Sequence, residues 1–243
     1  MTLSAVVIAL NEEKNLPACL EGLGFADEIV VVDSGSIDRT LETARGYTGK
    51  VFKRAFDDFS SQKNFALSKA SGDWVLSIDA DERVSRMLAD EILAAIGQDS
   101  FEAYEIQRLT RLFGRVFRYS GLQSDRPVRL FKKDRGSFEG RVHERVHVRG
   151  RIGRLHQPLE HASFQTLEEY MRRLEQYTAL EPAGVNGRPG LLDYVARPGY
   201  RFCSMYFWKQ GFRDGREGAM YCALSAFYEF VKCAKLRKQG SKP

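Results

Sequence analysis

Trp74-Val75-Leu76-Ser77-Ile78-Asp79-Ala80-Asp81-Glu82 is an apolar strand that runs straight into three carboxylates. A strand interior does not tolerate three acids within four residues unless something cationic meets them. At the carboxyl end of a strand they stand at the edge of a sheet, where open α/β sheets bind ligands. Asp79 and Asp81, one residue apart on an extended backbone, are expected to project to one face. Such a pair can hold a hard divalent ion through oxygen and leave positions open for a substrate diphosphate.

The flanking sequence supplies the sheet that this strand needs. Leu3 to Leu10 reads as a buried parallel strand. Asn11-Glu12-Glu13 follows it, and Asn11 is expected to cap a helix through Leu16, Cys19, Leu20 and Leu23, with acids in its first turn. Glu28 to Asp33 is a second strand. Ser34-Gly35-Ser36 turns the chain, and Asp38 can cap a helix through Leu41 and Ala44. Lys50 to Lys53 is a short third strand, Gln62 to Ala70 has helical spacing, and Met87 to Ile96 is a further helix. This alternation predicts an α/β fold with a mostly parallel central sheet flanked by helices. Right-handed crossovers then bring Glu12, Glu13, Asp33, Asp79 and Asp81 to one rim.

Beyond residue 100 the pattern changes. Ala103 to Leu109, Val128 to Phe131 and Val142 to Val148 alternate apolar and polar residues, which predicts mixed or antiparallel strands. Ser163 to Tyr177 is a charged amphipathic helix, and Pro182 to Gly190 is rich in breakers. The last fifty or so residues form a helical appendage rich in aromatic and basic residues. Met220 to Val231 is apolar on nearly every face and must be buried in protein, in a partner or in lipid. Tyr200, Phe202, Tyr206, Phe207 and Trp208, interleaved with Arg197, Arg201, Lys209 and Arg213, suit a membrane interface or a second subunit.

Bulk properties narrow the class. The chain has 243 residues, of which 43% are hydrophobic and 28% charged, as in an ordinary folded domain. A net charge of +5 reads either as a solvated surface with a modest Lys/Arg excess or as attraction to an anionic partner, and no nucleic-acid motif accompanies it. Cys19, Cys203, Cys222 and Cys233 lack C-x-x-C spacing and read as reduced thiols of a cytoplasmic protein. The start of the chain carries no secretory pattern, and no apolar run reaches the ~18 residues of a membrane span. A dinucleotide fold would place G-x-G-x-x-G after the first strand. Asn11-Glu12-Glu13-Lys14 stands there instead and would repel a pyrophosphate without a bridging cation.

Three blocks together resemble family 2 glycosyltransferases: Val7-Ile8-Ala9-Leu10-Asn11-Glu12-Glu13, Val31-Val32-Asp33-Ser34-Gly35-Ser36-Ile37-Asp38 and Gly72 to Glu82. The resemblance covers roughly the first hundred residues. It implies the GT-A fold, a nucleotide-activated sugar donor and inversion at the anomeric carbon. Arg126 to Lys133, Phe138 to Glu144 and Leu159 to Phe164 resemble the lipopolysaccharide-core branch, which adds a β-1,4-glucose to an inner-core heptose. On that resemblance residues 1–100 are the nucleotide-sugar half, 101–180 the acceptor half and 181–243 the appendage. UDP-glucose is then the donor, a glycolipid the acceptor and Mg²⁺ or Mn²⁺ the cofactor. The setting is the cytoplasmic face of the inner membrane, with contact to that membrane or oligomerisation through the C-terminal helices.

Carried over by residue, the donor would lie against Leu10, Asn11, Glu12, Asp33, Ser34, Gly35, Lys63, Asp79 and Ala80. Lys63 adds a point charge there or is a solvated helix lysine. Asp81 is the leading metal ligand, with Asp79 and His161 completing the set, although His161 also reads as a structural histidine. The family's Glu-Asp pair that supplies a base is absent after residue 100. Glu144 is the first candidate base and Asp125 the second, with His143 orienting the base or the acceptor. Arg126 and Arg129 suit acceptor phosphates or carboxylates. Two rivals remain: another acceptor, such as a capsule or exopolysaccharide lipid intermediate or a peptide, and a non-catalytic nucleotide-sugar-binding protein.

Overall fold

β-Branched and apolar runs become the central strands. In the computed structural model, which describes residues 1–140, 144–180 and 190–239, the chain divides into two units. The first comprises Met1–Arg108 with Arg126–Ala162, and the second Leu109–Asp125 with Ser163–Pro243.

The first unit alternates β1 (Leu3–Ala9), α1 (Leu16–Glu21), β2 (Glu28–Asp33), α2 (Thr40–Tyr47), β3 (Lys50–Lys53), α3 (Phe59–Lys69) and β4 (Trp74–Asp79). The short β5 (Glu82–Arg83), α4 (Arg86–Gln98) and β6 (Ala103–Glu105) follow. After β7 (Arg108–Leu112) and β8 (Arg115–Val116), the chain returns through β9 (Val128–Lys132), β10 (Gly136–Glu139), β11 (Arg145–Val148), β12 (Ile152–Arg154) and β13 (Leu159–Ala162). Seven strands form the main sheet in the order β12-β6-β9-β4-β1-β2-β3. β3, β2, β1 and β4 are mutually parallel, and β9 runs antiparallel to both β4 and β6. Ala9 pairs with Asp33 and Ile8 with Asp79, so the carboxyl ends of β1, β2 and β4 share one edge.

Strand alternation divides the core between two faces. Val7, Leu76 and Ile78 meet Leu16 and Leu20 of α1 and Leu88 and Ile92 of α4. Val6, Val30, Val32 and Val75 meet Ala66 of α3 and Phe131 of β9. At roughly 25 cal/mol per Å², each fully buried aliphatic side chain here contributes about 2 kcal/mol. The loops above β1 and β2 are tied to each other. Asn11 does not cap a helix: its φ is 55°, its Oδ1 accepts from the Ile37 N–H at 2.9 Å, and α1 begins only at Leu16, with a proline in its first turn. Asparagine tolerates that left-handed backbone, so Asn11 staples two loops instead.

In the second unit, β7 and β8 form a hairpin, with Arg111 facing Val116 and Leu112 facing Arg115. Asp214 is buried and accepts from the N–H groups of Arg118 (3.0 Å) and Tyr119 (3.1 Å) and from Ser120 Oγ (2.8 Å). Helices α5 (Leu167–Leu180), α6 (Asp193–Cys203) and α7 (Gly215–Gln239) complete the unit. A π turn over Ser204–Trp208 and a 3₁₀ turn over Gly211–Asp214 join α6 to α7. Gly218 lets α7 approach closely, since a Cβ there would sit 2.2 Å from the Gly211 carbonyl oxygen. Met220 to Val231, expected to be buried in protein, in a partner or in lipid, packs only partly within its own unit. Cys222 and Ser225 are buried, whereas Met220, Phe227 and Phe230 are exposed.

Candidate active site

Asp33 ends β2 and is 1% exposed. Its Oδ2 accepts from the N–H groups of Gly35 and Ser36, both at 3.1 Å. Gly35 has φ +101°, which only glycine adopts readily, so the turn folds back over the carboxylate. Ser34 Oγ accepts from Gln62 Nε2 at 2.9 Å, which locks this turn to α3. Across the edge, Glu12 Oε2 accepts from Asn15 Nδ2 at 2.7 Å, and the Glu12 N–H donates to Thr40 Oγ1 at 2.7 Å. Leu10 is exposed.

The three acids after β4 separate. Asp79 is the last residue of the strand, Ala80 and Asp81 form a turn, and Glu82 opens β5. The backbone leaves the extended conformation at Ala80, so the two-residue alternation expected to align Asp79 with Asp81 does not operate. Their carboxylates take different partners. Asp79 Oδ1 lies 2.9 Å from Lys63 Nζ, and Oδ2 lies 2.5 Å from Arg129 Nη2. The same Nη2 reaches Glu82 Oε1 at 2.5 Å, and Arg108 Nη1 stands 3.6 Å from that oxygen. Burial would raise the Asp79 carboxyl, but Arg129 and Lys63 hold it well below the usual carboxylate range. Burial and the charge of Asp79 push Glu82 up despite the attraction of Arg129.

Local geometry explains the meeting. Leu76 faces Leu130 across the β4–β9 pair, so Arg129, one residue on, shares a face with Asp79. On α3, Ser60, Lys63 and Ala66 recur at helical spacing and are all buried, which carries Lys63 onto the sheet. Lys63 is therefore not a solvated helix lysine. Its ammonium is 2.7 Å from Glu144 Oε1 as well as 2.9 Å from Asp79. Arg129, expected to face an acceptor, is 4% exposed and engaged by Asp79 and Glu82. Its Nε is buried with no hydrogen-bond partner, because both carboxylates crowd one terminal nitrogen.

Asp81 is 7% exposed, and its Oδ2 lies 3.5 Å from His161 Nε2. The Ala162 N–H donates to the Asp81 carbonyl oxygen at 2.8 Å, and β13 pairs His161 with Glu82, so the backbone sets this meeting. Burial lowers the His161 pKa, but the Asp81 hydrogen bond and the charges of Asp81 and Glu82 outweigh it and raise the net value. Among the described residues no group of three or more His, Cys, Asp or Glu gathers into a metal cage. A carboxylate with one imidazole nonetheless fits a hard dication that takes its remaining ligands from phosphate and water.

The hairpin of β10 and β11 positions Glu144. Asn64 Nδ2 donates to the Phe138 carbonyl at 2.8 Å, Asn64 Oδ1 accepts the Phe138 N–H at 2.9 Å, and Ser60 Oγ donates to the Gly140 carbonyl. Glu144, just before β11, meets Lys63 at 2.7 Å. His143 lies outside the described residues. Arg126 is exposed, and its Nη2 donates to Gln107 Oε1 at 2.8 Å. Asp125 belongs to the second unit. The sequence reading placed Glu82 among the carboxylates that need a cation, but missed Gln62 and Arg108. Gln62 and Arg108 lie among polar neighbours, so no apolar pattern around them signalled burial.

Comparisons with known proteins bear on the family and the fold. The chain is 29% identical over 250 residues to the lipopolysaccharide core biosynthesis glycosyltransferase LpsC of Rhizobium meliloti (strain 1021), covering 97% of this chain and 92% of the relative. An uncharacterized glycosyltransferase of Rickettsia bellii (strain RML369-C) is 27% identical over 259 residues, covering 97% and 86%. Among solved structures, S. aureus TarS 1-349 in complex with UDP-GlcNAc superposes with a TM-score of 0.53 at 16% identity, over 99% of this chain and 92% of that one, a likeness of fold. The family model described as glycosyl transferase family 2 matches residues 4–154, which take in Asp33, Asp79, Asp81, Glu82 and Glu144 but not His161. A match over more than half the chain, on this mostly parallel sheet, makes the protein a GT-A-fold glycosyltransferase that belongs to family 2.

Proposed function

We propose that this enzyme moves glucose from UDP-glucose, with inversion, onto a heptose of a lipopolysaccharide inner core, on the cytoplasmic face of the inner membrane and with Mg²⁺ or Mn²⁺. The observation that carries the reading is the Asp81–His161 pair, adjoining an edge where Asp33 and Asp79 end the two strands that flank β1. The acceptor class draws support from likeness to LpsC along nearly the whole of both chains. The donor sugar follows from the resemblance to the core glucosyltransferase branch.

Glu12 and Asp33 would hydrogen-bond the nucleoside, with Leu10, Asn11, Ser34, Gly35 and Ala80 lining its bed. Asp79, already fixed by Lys63 and Arg129, would receive a ribose or sugar hydroxyl without having to reorganise. Asp81 and His161 would hold the dication, which supplies charge to offset the departing nucleoside diphosphate. Glu144 would take the proton from the acceptor hydroxyl as its oxygen bonds the anomeric carbon and the bond to phosphate breaks. Lys63 orients that carboxylate. Arg126 would meet anionic groups of the acceptor. Asp125 is the second candidate base.

Two measurements test the reading. Melting of the protein with Mn²⁺ and a panel of nucleoside diphosphate sugars should show the largest upward shift with UDP-glucose, since stabilisation follows affinity for the native state. A larger shift with a guanosine or GlcNAc donor would reassign it. Glu144→Gln keeps the shape but cannot accept a proton, so turnover should fall by about 10²- to 10⁴-fold with donor affinity retained. Unchanged turnover in that variant, with loss in Asp125→Asn, would move the base to Asp125.

A further inference from the structure

Helix α6 turns its apolar face outward. Leu192, Val195, Ala196, Gly199 and Cys203 recur at the spacing of a helix stripe that normally faces a core, and Phe207 continues the line through the π turn. All six are exposed, Leu192 at 84% and Val195 at 75%. The opposite side of α6 is the one that packs within the unit. The Tyr194 hydroxyl donates to the Cys233 carbonyl of α7 at 3.3 Å, and the Tyr194 and Phe230 rings lie 5.8 Å apart. Tyr200 and Trp208, with rings 6.2 Å apart, are exposed beside the stripe. Isolated exposed apolar residues are ordinary, but a continuous stripe marks a contact surface.

Charge distinguishes what that surface fits. Residues 190–216 carry five basic side chains, Arg197, Arg201, Lys209, Arg213 and Arg216, against two acids. Asp193 is bonded to Arg197 at 3.0 Å, and Asp214 is buried among donors of its own unit. The next acid, Glu217, faces Arg115 at 3.4 Å. A second copy meeting the stripe symmetrically would bring like charges together. An anionic bilayer would accept the apolar face and balance the bases at once. Among the described residues no helix is long and apolar enough to cross a membrane.

We infer that the exposed stripe of α6, continued by Phe207 and Trp208, is a docking surface for an anionic lipid bilayer, with the helix lying in the plane of the interface. Tyr200 and Trp208 are the residue types that settle at headgroup depth. The inference deepens the proposed reading, since a lipid-borne acceptor gives the contact its use, but its own grounds are the stripe and its charge.

The protein carries its own reporter. Its two tryptophans are Trp74, wholly buried, and Trp208, 71% exposed. Vesicles of phosphatidylcholine containing phosphatidylglycerol should shift the emission of the full chain to the blue and carry it down on sedimentation, whereas phosphatidylcholine alone should not. Added salt should weaken the effect. Val195→Glu combined with Phe207→Glu should reduce binding at least tenfold, and Arg213→Ala about fivefold. Both classes of variant should keep the wild-type melting shift with UDP-glucose, which separates failure here from failure of the donor reading. Absence of vesicle binding by the wild type would overturn the inference. So would equal binding to neutral vesicles, or a dimer in solution that Val195→Glu dissociates.

Discussion

Asp81→Ala should lower transfer by on the order of 10³-fold while leaving the chain folded. A dication that neutralises the leaving diphosphate is worth several kcal/mol, and each 1.4 kcal/mol is about tenfold in rate. The proposed ligands are two, Asp81 and His161, so removal of the carboxylate takes the only anionic one. The fold should survive because the backbone, not the side chain, anchors this turn, through the Asp81 carbonyl and the Ala162 N–H at 2.8 Å. Release of nucleoside diphosphate measures the loss, and circular dichroism checks the fold. Excess chelator should reproduce the defect in the wild type and add little to the variant. Normal turnover in Asp81→Ala, or in the wild type under chelator, would remove the metal role.

Arg129→Met should be the most damaging change to stability, by about 3–5 kcal/mol. The guanidinium is what meets both Asp79 and Glu82, each at 2.5 Å, and Glu82 is fully buried. Methionine fills much of the volume and leaves two carboxylates with one fewer cation, the situation in which a broken buried pair is most destabilising. For a chain of this length the melting midpoint should fall by on the order of 10 °C. Arg129→Met combined with Glu82→Gln should recover part of that loss, because the second change removes a stranded charge. A single-variant midpoint within a degree or two of wild type would show that Lys63 and Arg108 suffice for this cluster.

Much of the frame was legible from residue patterns. β-Branched runs at Val6-Val7-Ile8 and Val30-Val31-Val32 announce strands buried on both faces, and the helical spacing of Leu88, Ile92 and Ile96 announces α4, because burial imposes periods of two and 3.6 on any chain. The acids at Asp33, Asp79 and Asp81 could be assigned to one rim because parallel crossovers leave no other edge for them. Asn11 was misread because the same side chain that caps helices also stabilises a left-handed turn, and local sequence does not separate the two.

The chain's own order of residues thus determined the sheet, the edge and the identity of the carboxylates. Tertiary structure alone decided their partners. Lys63 and Glu144 are 81 positions apart and Asp79 and Arg129 are 50, and nothing within either segment encodes the other's position. Hydrophobic burial places α3 and β9 against β4, and only then does a buried charge select whichever opposite charge the packing has brought within reach. The turn at Ala80 likewise sends Asp79 to the arginine and lysine and Asp81 to the histidine, because a single departure from extended geometry overrides the alternation that the sequence implies.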